Sequence, residues 1–336
     1  MTIGRREFLA GSALAATAAF AGVAPRPASA AGKRLRLHTL VKSPHPYNDM
    51  AAAMKERIEA DSNGALEVQI FDAGQLGQDP AVIGEIALGT IDLMISTASN
   101  AAEQLPEFSI FTMPYLFGGL DGLLEKIGPT TSVHTHFEEI YAQRGVGMKL
   151  LALGGSGTRN MAAANIQIEK ISDLEGLKMR TTQSPMDSET WAALGMLPVT
   201  VAWGELYAAM QTGVAEVMES SLPGYNGSKL YEVAPNLALT GHTVQINHIS
   251  VSQRSWDGLD ADMQEVVRNA AIAANELGLA KALQYDSELV AKLEKENGVT
   301  VSRPDKQAFI DRLAPIQKDL AERLDVAEEF EILKAG

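Results

Sequence analysis

LRLHTLVKSPHPYNDMAAAMKERIEADSNGALEVQIF, residues 35–71, is the stretch that decides the fold. Its first six residues alternate apolar and polar side chains, which predicts a half-buried strand, and a Pro-rich loop ends that strand. Met50, Met54 and Ile58 then recur at four-residue spacing, as on the buried face of a helix. Residues 66–71 alternate again as a second strand. The order strand, helix, strand predicts a βαβ unit and hence a parallel sheet covered by helices.

Two helix boundaries near this unit and one long helix further along the chain can be placed. Gly64 is expected to cap the end of the first helix, and Asp79 and Pro80 to serve as N-cap and first residue of the next one. A helical pattern without proline fills residues 260–295, which at 1.5 Å per residue would exceed about 50 Å. Such a helix either spans two lobes or breaks near Gly278.

One phrase occurs twice in the chain. Residues 88–94 (LGTIDLM) and 212–218 (TGVAEVM) each read as the end of a helix, a capping glycine and a strand, and small polar residues follow at 96–97 and 220–221. Because the carboxyl ends of parallel strands open into the ligand crevice, both segments are expected to deliver hydroxyl groups to one cleft. We therefore predict two lobes with related internal units; chance similarity of two short turns is the alternative.

Composition excludes several classes of function. The 336 residues carry a formal net charge of −14, and from residue 31 onward 25 basic residues face 41 acidic ones, a net charge of −16. This acidity argues against nucleic acid as a partner and against affinity for anionic membranes. Cysteine is absent, which removes thiolate catalysis, disulfides and Cys-ligated metal sites. With 46% apolar residues, the chain is long enough for one or two well-filled cores.

The N-terminus is typical of an export signal that occupies residues 1–30. A basic start at 5–6, an Ala-rich apolar run at 8–23 and the small residues at 28–30 predict cleavage just before Ala31. The basic start resembles the twin-arginine type, and a general secretory signal is the alternative. An uncleaved anchor is disfavoured because the apolar run is shorter than the roughly 20 residues that a spanning helix needs. We expect a periplasmic protein without stable membrane insertion.

No arrangement of side chains suggests catalysis or metal binding. His134 and His136 are two residues apart, so on a helix they would occupy different faces. The Gly-rich segment 154–157 is followed by Thr158, which departs from the glycine that ends a nucleophile elbow. That segment suits a flexible crossover between lobes better. We therefore predict no enzymatic activity, no cofactor and no metal site of the protein's own; assistance of ligand binding by a metal stays open, although no carboxylate cluster requires it.

Arg180 is the most promising binding residue. A short strand at 176–180 should end on it, and a guanidinium offers a planar fork of donors that matches a carboxylate. The alternative is a surface arginine paired with Asp173 or Glu175.

Several phrases around this arginine resemble the substrate-binding proteins of tripartite ATP-independent periplasmic (TRAP) transporters. They are GTR at 157–159, DLEGLKMR at 173–180 and PVTVAWGELYAAMQTG at 198–213, extended by FDAGQLG at 71–77 and KLYEV at 229–233. The match runs in order through nearly the whole chain after the export signal.

The resemblance implies an α/β, two-lobed periplasmic binding protein fold that closes on its ligand like a flytrap, with crossover strands and a long interlobe helix. The expected bounds are residues 31–156 and 246–285 for the first lobe, and 157–245 and 286–336 for the second lobe with the C-terminal helices. Hinges are expected near 154–157 and 245–247.

The resemblance also assigns binding roles by position. Arg180 would clamp the ligand carboxylate with help from Arg159, Gln183 would contribute an amide, and Trp203 would line the pocket. Further positions expected to face the ligand are Thr97, His242, His45 and Ser220. For Trp203 and both histidines a purely structural role is the alternative. Many family members that bind hydroxylated acids carry asparagine where this chain has Ser220, which puts a sugar acid such as sialate in doubt.

The function that follows from the resemblance is capture of a small organic acid for uptake by the membrane subunits of a TRAP transporter. We expect a monomer. The alternatives are a ligand-sensing protein that presents its closed form to a receptor, and an enzyme on the same scaffold.

Overall fold

The structure, a computed structural model, describes residues 32–335, so the predicted export signal at residues 1–30 lies outside the described residues. Within that range the strands are β1 (Lys33–Thr39), β2 (Leu66–Phe71), β3 (Leu93–Thr97), β4 (Met148–Ala163), β5 (Lys178–Thr181), β6 (Leu197–Thr200), β7 (Val217–Ser221), β8 (Asn236–Ser252) and β9 (Thr300–Ser302). The α-helices are α1 (Pro46–Asp61), α2 (Asp79–Leu88), α3 (Ala98–Ala101), α4 (Leu123–Ile127), α5 (Ser132–Arg144), α6 (Pro185–Ala193), α7 (Leu206–Gln211), α8 (Leu222–Gly227), α9 (Gln253–Asp257), α10 (Ala261–Glu296), α11 (Lys306–Arg323) and α12 (Ala327–Ala335). Short 3-10 turns lie at Pro106–Thr112, Ile171–Leu174, Trp203–Glu205 and Leu230–Glu232.

The strands described above form one mixed sheet in the order β2-β1-β3-β8-β4-β7-β5-β6, with β9 paired to β8. β1 pairs in parallel with β2 and β3, and β5 pairs in parallel with β6 and β7. The long strands β4 and β8 run antiparallel through the middle and connect these two parallel halves. The predicted βαβ unit and the α/β fold with crossover strands are confirmed.

Helix α1 forms where the apolar stripe predicts it. Met50, Met54 and Ile58 are fully buried against the sheet, since none of them retains any exposed surface. His45 is the N-cap, and its ring nitrogen Nδ1 accepts the Tyr47 N–H. The helix ends at Asp61, three residues before the predicted glycine cap. Gly64, with a φ of 77°, instead closes the turn that follows, where its N–H donates to the Glu59 carbonyl.

The prediction that Asp79 is the N-cap of the second helix is wrong. Gln78 occupies the N-cap position, and Asp79 and Pro80 are the first residues of α2. The Asp79 side chain is buried and accepts hydrogen bonds from other elements, so it is not available to cap the helix.

The repeated phrase has the predicted structure in both copies. Gly89 and Gly213 end α2 and α7 with φ of 76° and 72°, and β3 and β7 follow. The carboxylate of Asp92 accepts the N–H of Arg36 on β1 at 2.7 Å, and the carboxylate of Glu216 accepts the N–H of Lys178 on β5 at 3.0 Å. The shared acidic residue therefore satisfies a backbone donor of the neighbouring strand in each half.

Helix α10 runs without a break from one half of the sheet to the other. Its residues 267–274 pack with α1, whereas Leu289 and Leu293 belong to a core cluster built by α7, α8 and the first residues of β8. The helix passes straight through Gly278, where a Cβ would lie 2.4 Å from the Met50 sulfur. Gly278 is thus a site of close helix packing, and the alternative of a break there is wrong.

The C-terminal helices contact both lobes. Phe309 and Leu313 of α11 pack in a second-lobe cluster, while Leu320, Phe330 and Leu333 pack among first-lobe residues. The end of the chain therefore contacts the lobe opposite to the one predicted for residues 286–336. The lobe bounds themselves stay a prediction.

Candidate functional site

A cavity of about 410 Å³ lies between the two halves of the sheet. Its lining includes six of the eight predicted binding residues: His45, Thr97, Arg159, Arg180, Trp203 and Ser220. A second cavity of about 300 Å³ shares Thr97, Arg159 and Gln245 with the first, and is lined further by Asp187, Glu219 and His242. Gln183 lies outside both linings. The carboxyl ends of β3 and β7 deliver their hydroxyl side chains to the first cavity, as the repeated phrase predicts.

Arg180 is buried inside the first cavity rather than paired at the surface. Its Nε donates to the Val201 carbonyl at 2.9 Å, and its ring neighbour is Trp203, whose centroid lies 5.9 Å from the guanidinium carbon. The nearest acidic atom to Nη1 is Oε1 of Glu219 at 3.9 Å, and Nη1 has no hydrogen-bond partner. Burial lowers the pKa of Arg180 to about 10, so the group is still a cation at neutral pH. The alternative of a surface arginine is wrong.

Arg159, by contrast, has its charge paired with a carboxylate. Nε and Nη2 donate to the two carboxylate oxygens of Glu219, and Nη1 donates to Oε1 of Gln245 at 2.9 Å. Burial by itself would raise the pKa of Glu219, but the charge and hydrogen bonds of Arg159 and of His242 outweigh it and hold that pKa well below its ordinary value. Arg159 and Glu219 therefore form a closed buried ion pair beside Arg180.

His242 belongs to the second cavity. Its Nδ1 lies 2.8 Å from the Thr240 hydroxyl, its Nε2 lies 3.6 Å from Glu219, and its ring contacts Trp191 edge-on at 5.0 Å. Burial lowers its pKa below the ordinary value although Glu219 acts in the opposite direction. The ring thus lies beside Oε2 of Glu219, whereas Arg180 lies nearest to Oε1.

Asp187 is the second buried carboxyl of this region, in the first turn of α6. It accepts a hydrogen bond from the Thr182 hydroxyl, and a weaker one from the Thr182 N–H at 3.4 Å. Burial, together with the charge of Glu219, raises the pKa of Asp187 to about 6.

The first-lobe wall of the cavity contains His45, Tyr47 and Asp79. Tyr47 accepts a hydrogen bond from the Gln245 amide at 3.0 Å, so it connects this wall to Arg159 through Gln245. His45 has its Nε2 buried without a partner, and burial lowers its pKa to about 3. The ring is therefore neutral at any physiological pH.

Asp79 is the most heavily hydrogen-bonded group of that wall. Its Oδ1 lies 3.0 Å from Nε2 of His38, and its Oδ2 accepts from the Asn100 amide at 2.9 Å and from the Ser96 hydroxyl. Burial alone would raise the pKa of Asp79, but the hydrogen bond and charge of His38 with the bonds from Asn100 and Ser96 bring it below its ordinary value. Asp79 is thus a buried carboxylate on the cavity wall.

Trp203 and Ser220 both lie close to Gly224. A Cβ on Gly224 would lie 2.8 Å from the Ser220 hydroxyl and 3.2 Å from the Trp203 ring. The absence of a side chain at Gly224 therefore leaves room for the indole and for the hydroxyl at the cavity wall.

Sequence reasoning misses the role of five residues of this site: Tyr47, Asp79, Asp187, Glu219 and Gln245. The N-cap interpretation of Asp79 obscures its role, and Gln245 is expected only as part of a hinge. The other three carry no local signal in the sequence. In the described range 32–335, no group of three or more His, Asp or Glu side chains could hold a metal ion, and no helix is long and apolar enough to cross a bilayer.

Comparisons with known proteins agree on one family. The model of the family described as bacterial extracellular solute-binding protein, family 7, matches residues 37–324. A Sinorhizobium fredii protein described as uncharacterized is 28% identical over 94% of this chain, and the match spans only 57% of that relative's length. The C4-dicarboxylate-binding periplasmic protein of Rhodobacter capsulatus is 27% identical over 87% of each chain.

A solved structure gives the same result. The TRAP periplasmic solute-binding protein of Sulfitobacter with bound α-D-taluronate is 26% identical and superposes with a TM-score of 0.83, covering 90% of this chain and 97% of that chain. The shared architecture is the two-lobed fold.

Proposed function

Because this chain belongs to family 7 of the bacterial extracellular solute-binding proteins, we propose that it captures a small organic acid in its interlobe cavity and delivers it to a TRAP transporter. On this proposal the protein acts in the periplasm as a monomer, and its partners are the acid and the membrane subunits of the carrier. No chemistry of its own is required for this role.

The observation that carries the proposal is that Nη1 of the buried Arg180 guanidinium has no hydrogen-bond partner. A buried cation is costly unless an anion accompanies it, yet Nη1 has no acceptor and Glu219 already serves Arg159. A ligand carboxylate placed in the cavity would supply the missing acceptor with two-pronged geometry. Trp203 against the same guanidinium would exclude water from that contact.

The other predicted binding residues differ in how directly they act on the ligand in this proposal. Arg159 lines the cavity beside the clamp, and its charge is compensated by Glu219. Thr97 and Ser220 offer hydroxyl groups on opposite walls, and His45 offers its ring. His242 acts on Glu219, and we assign Gln183 no ligand contact in this conformation.

Thermal-shift screening of a broad organic-acid library, followed by calorimetric titration, tests the proposal. A ligand that binds only the folded state adds RT ln(1 + [L]/Kd), or about 2.7 kcal/mol at a hundredfold excess over Kd. We expect stabilisation by a few related carboxylates. No stabilisation by any acid of the library would contradict the proposal.

Two controls separate capture for transport from the alternatives. The bound acid should be recovered unchanged after long incubation with the purified protein, since turnover would indicate an enzyme. Uptake of that acid by cells should require both this protein and the membrane subunits of a TRAP carrier. Loss of a transcriptional response with uptake intact would instead indicate presentation to a receptor.

A further inference from the structure

The cavity between the lobes has two chemically different walls. Arg180 and Trp203 form the second-lobe wall, whereas the first-lobe wall carries His45 and Asp79. Among the described residues of that first-lobe lining there is no lysine or arginine. The two walls therefore cannot receive the two ends of a ligand in the same way.

Among the described residues of the lining, Arg180 is the cation without a hydrogen-bonded carboxylate. Arg159 gives Nε and Nη2 to Glu219 and one N–H of Nη1 to Gln245, so its charge is already compensated. The remaining cation is Arg180, whose Nη1 is buried and unpartnered. One ligand carboxylate neutralises the charge of Arg180, and a second carboxylate would have no counter-charge.

Asp79 makes the first-lobe wall unfavourable for another anion. Its side chain is 1% exposed, and donors from His38, Ser96 and Asn100 stabilise the ionised form. A ligand carboxylate against this wall would meet a like charge in a water-poor space, where such a contact is strongly repulsive. The same oxygens can still accept a hydrogen bond from a neutral ligand group.

His45 fixes what the first-lobe wall can donate. Nδ1 accepts the Tyr47 N–H at 3.2 Å, so the neutral ring carries its hydrogen on Nε2. That Nε2 is buried and has no hydrogen-bond partner. The wall thus offers an uncharged N–H, which suits a hydroxyl, carbonyl or ring oxygen.

We propose, resting on the proposed function above, that the cavity selects monocarboxylates whose far end bears a neutral oxygen, and rejects acids that carry a second carboxylate there. The acid group meets Arg180, and the neutral oxygen meets His45 Nε2–H and Asp79. The relatives include a binder of C4-dicarboxylates and a binder of a uronate, and this arrangement places the chain with the second kind.

Matched pairs of acids test the selection in the wild-type protein. Each pair differs only by oxidation of the terminal CH₂OH: D-erythronate with meso-tartrate, D-gluconate with D-glucarate, and D-galactonate with galactarate, with 4-hydroxybutyrate and succinate as the unbranched pair. Calorimetric titration at pH 7.5 should give the monoacid an affinity at least about tenfold higher in every pair that binds, which corresponds to about 1.4 kcal/mol.

The possible outcomes distinguish this inference from its premise. Equal or tighter binding of the diacid overturns the selection and leaves capture of organic acids intact. If none of the eight acids binds, the result counts both against the selection and against the capture of acids of this class. Tighter binding of the monoacid supports both.

Two variants locate the selection in the first-lobe wall. Asp79→Asn removes the negative charge and should reduce the ratio of monoacid affinity to diacid affinity by about tenfold. Asp61→Asn, at an exposed position of α1, is the matched control. His45→Ser keeps an N-cap acceptor for α1 but is too short to place a donor at the position of Nε2, and should weaken binding of the monoacid about fivefold to tenfold. An unchanged preference in a folded Asp79→Asn protein, judged by circular dichroism, overturns the assignment. Should that variant not fold, the comparison of acid pairs in the wild type still decides.

Discussion

The guanidinium of Arg159 and the carboxylate of Glu219 are joined by two parallel hydrogen bonds, although their side chains are almost completely buried. A buried pair of this kind is strongly destabilised when one partner loses its charge, because the other charge then lacks compensation. Loss of either charge should therefore destabilise the fold around the cavity, and the pairing leaves Arg180 as the cation without a hydrogen-bonded carboxylate.

Glu219→Gln should consequently destabilise the protein. We expect the free energy of unfolding to fall by about 3 kcal/mol, measured by urea denaturation at pH 7. Glu67→Gln is the matched control, since its half-exposed ion pair with Arg34 should contribute under about 1 kcal/mol. A loss at Glu219 no larger than the loss at Glu67 would show that the buried pair adds nothing to stability.

Asp187 should give stability an unusual dependence on pH. Its folded-state pKa of about 6 lies above the ordinary 3.8, so the folded state binds the proton more tightly than the unfolded state does. The carboxylate therefore disfavours folding above pH 6, by about 3 kcal/mol, and this cost disappears as the pH falls from 6 towards 4. Glu219 has the opposite effect, because its lowered pKa makes its contribution vanish only at acid pH.

Asp187→Asn removes the first of these effects. The difference in melting temperature, variant minus wild type, should be more positive at pH 8 than at pH 5. Asp61→Asn, on the exposed face of α1, should show no such trend. A pH-independent difference for Asp187→Asn would mean that this carboxyl titrates at the same pH in the folded and unfolded chain.

Gly278 and Gly84 give a matched pair within helices. A Cβ at Gly278 would collide with the buried Met50 side chain, whereas a Cβ at Gly84 of α2 meets nothing within 4 Å. Gly278→Ala should lower the free energy of unfolding by about 1–3 kcal/mol, and Gly84→Ala should raise it by about 0.5–1 kcal/mol. Stabilisation by both substitutions would show that α1 and α10 have room to move apart.

The fold was largely predictable, because local patterns determine it. The apolar stripe of α1, the alternation in β2 and the repeated phrase with its acidic residue each depend on a few neighbouring residues. The packing of the C-terminal residues was not predictable, since no local sequence pattern indicates which lobe Phe330 contacts.

The site was predictable only where a motif exists. Arg180, Arg159 and Trp203 lie in phrases that resemble a family, and the structure brings them to one cavity. Gln245 contacts Arg159 and Tyr47, which are 86 and 198 residues away in sequence. Such a contact depends on the pairing of β4 with β8 and on the position of α1, and no local pattern encodes either.

Ligand-induced closure is a further expectation. Gly157 has a φ of 138°, and the pairing of β4 with β8 is irregular between Gly155 and Thr158, which places a break in the ladder at a predicted hinge. Saturation with the identified acid should reduce the radius of gyration in solution scattering. Superimposable scattering curves with and without the acid would contradict closure.

Replacement of Arg180 is the sharpest test of the clamp. If its guanidinium holds the ligand carboxylate, Arg180→Ala leaves that anion without a partner in a buried cavity, and affinity should fall about a hundredfold or more. Arg180→Lys should recover only part of the loss, because an ammonium keeps the charge but lacks the planar pair of donors. Exposed Arg34→Ala is the control for loss of a positive charge. Calorimetric titration with the identified acid measures all three variants.

Circular dichroism should verify that Arg180→Ala folds, because the substitution also removes the buried hydrogen bond from Nε to the Val201 carbonyl. An affinity within about threefold of wild type for Arg180→Ala would show that the carboxylate lies elsewhere.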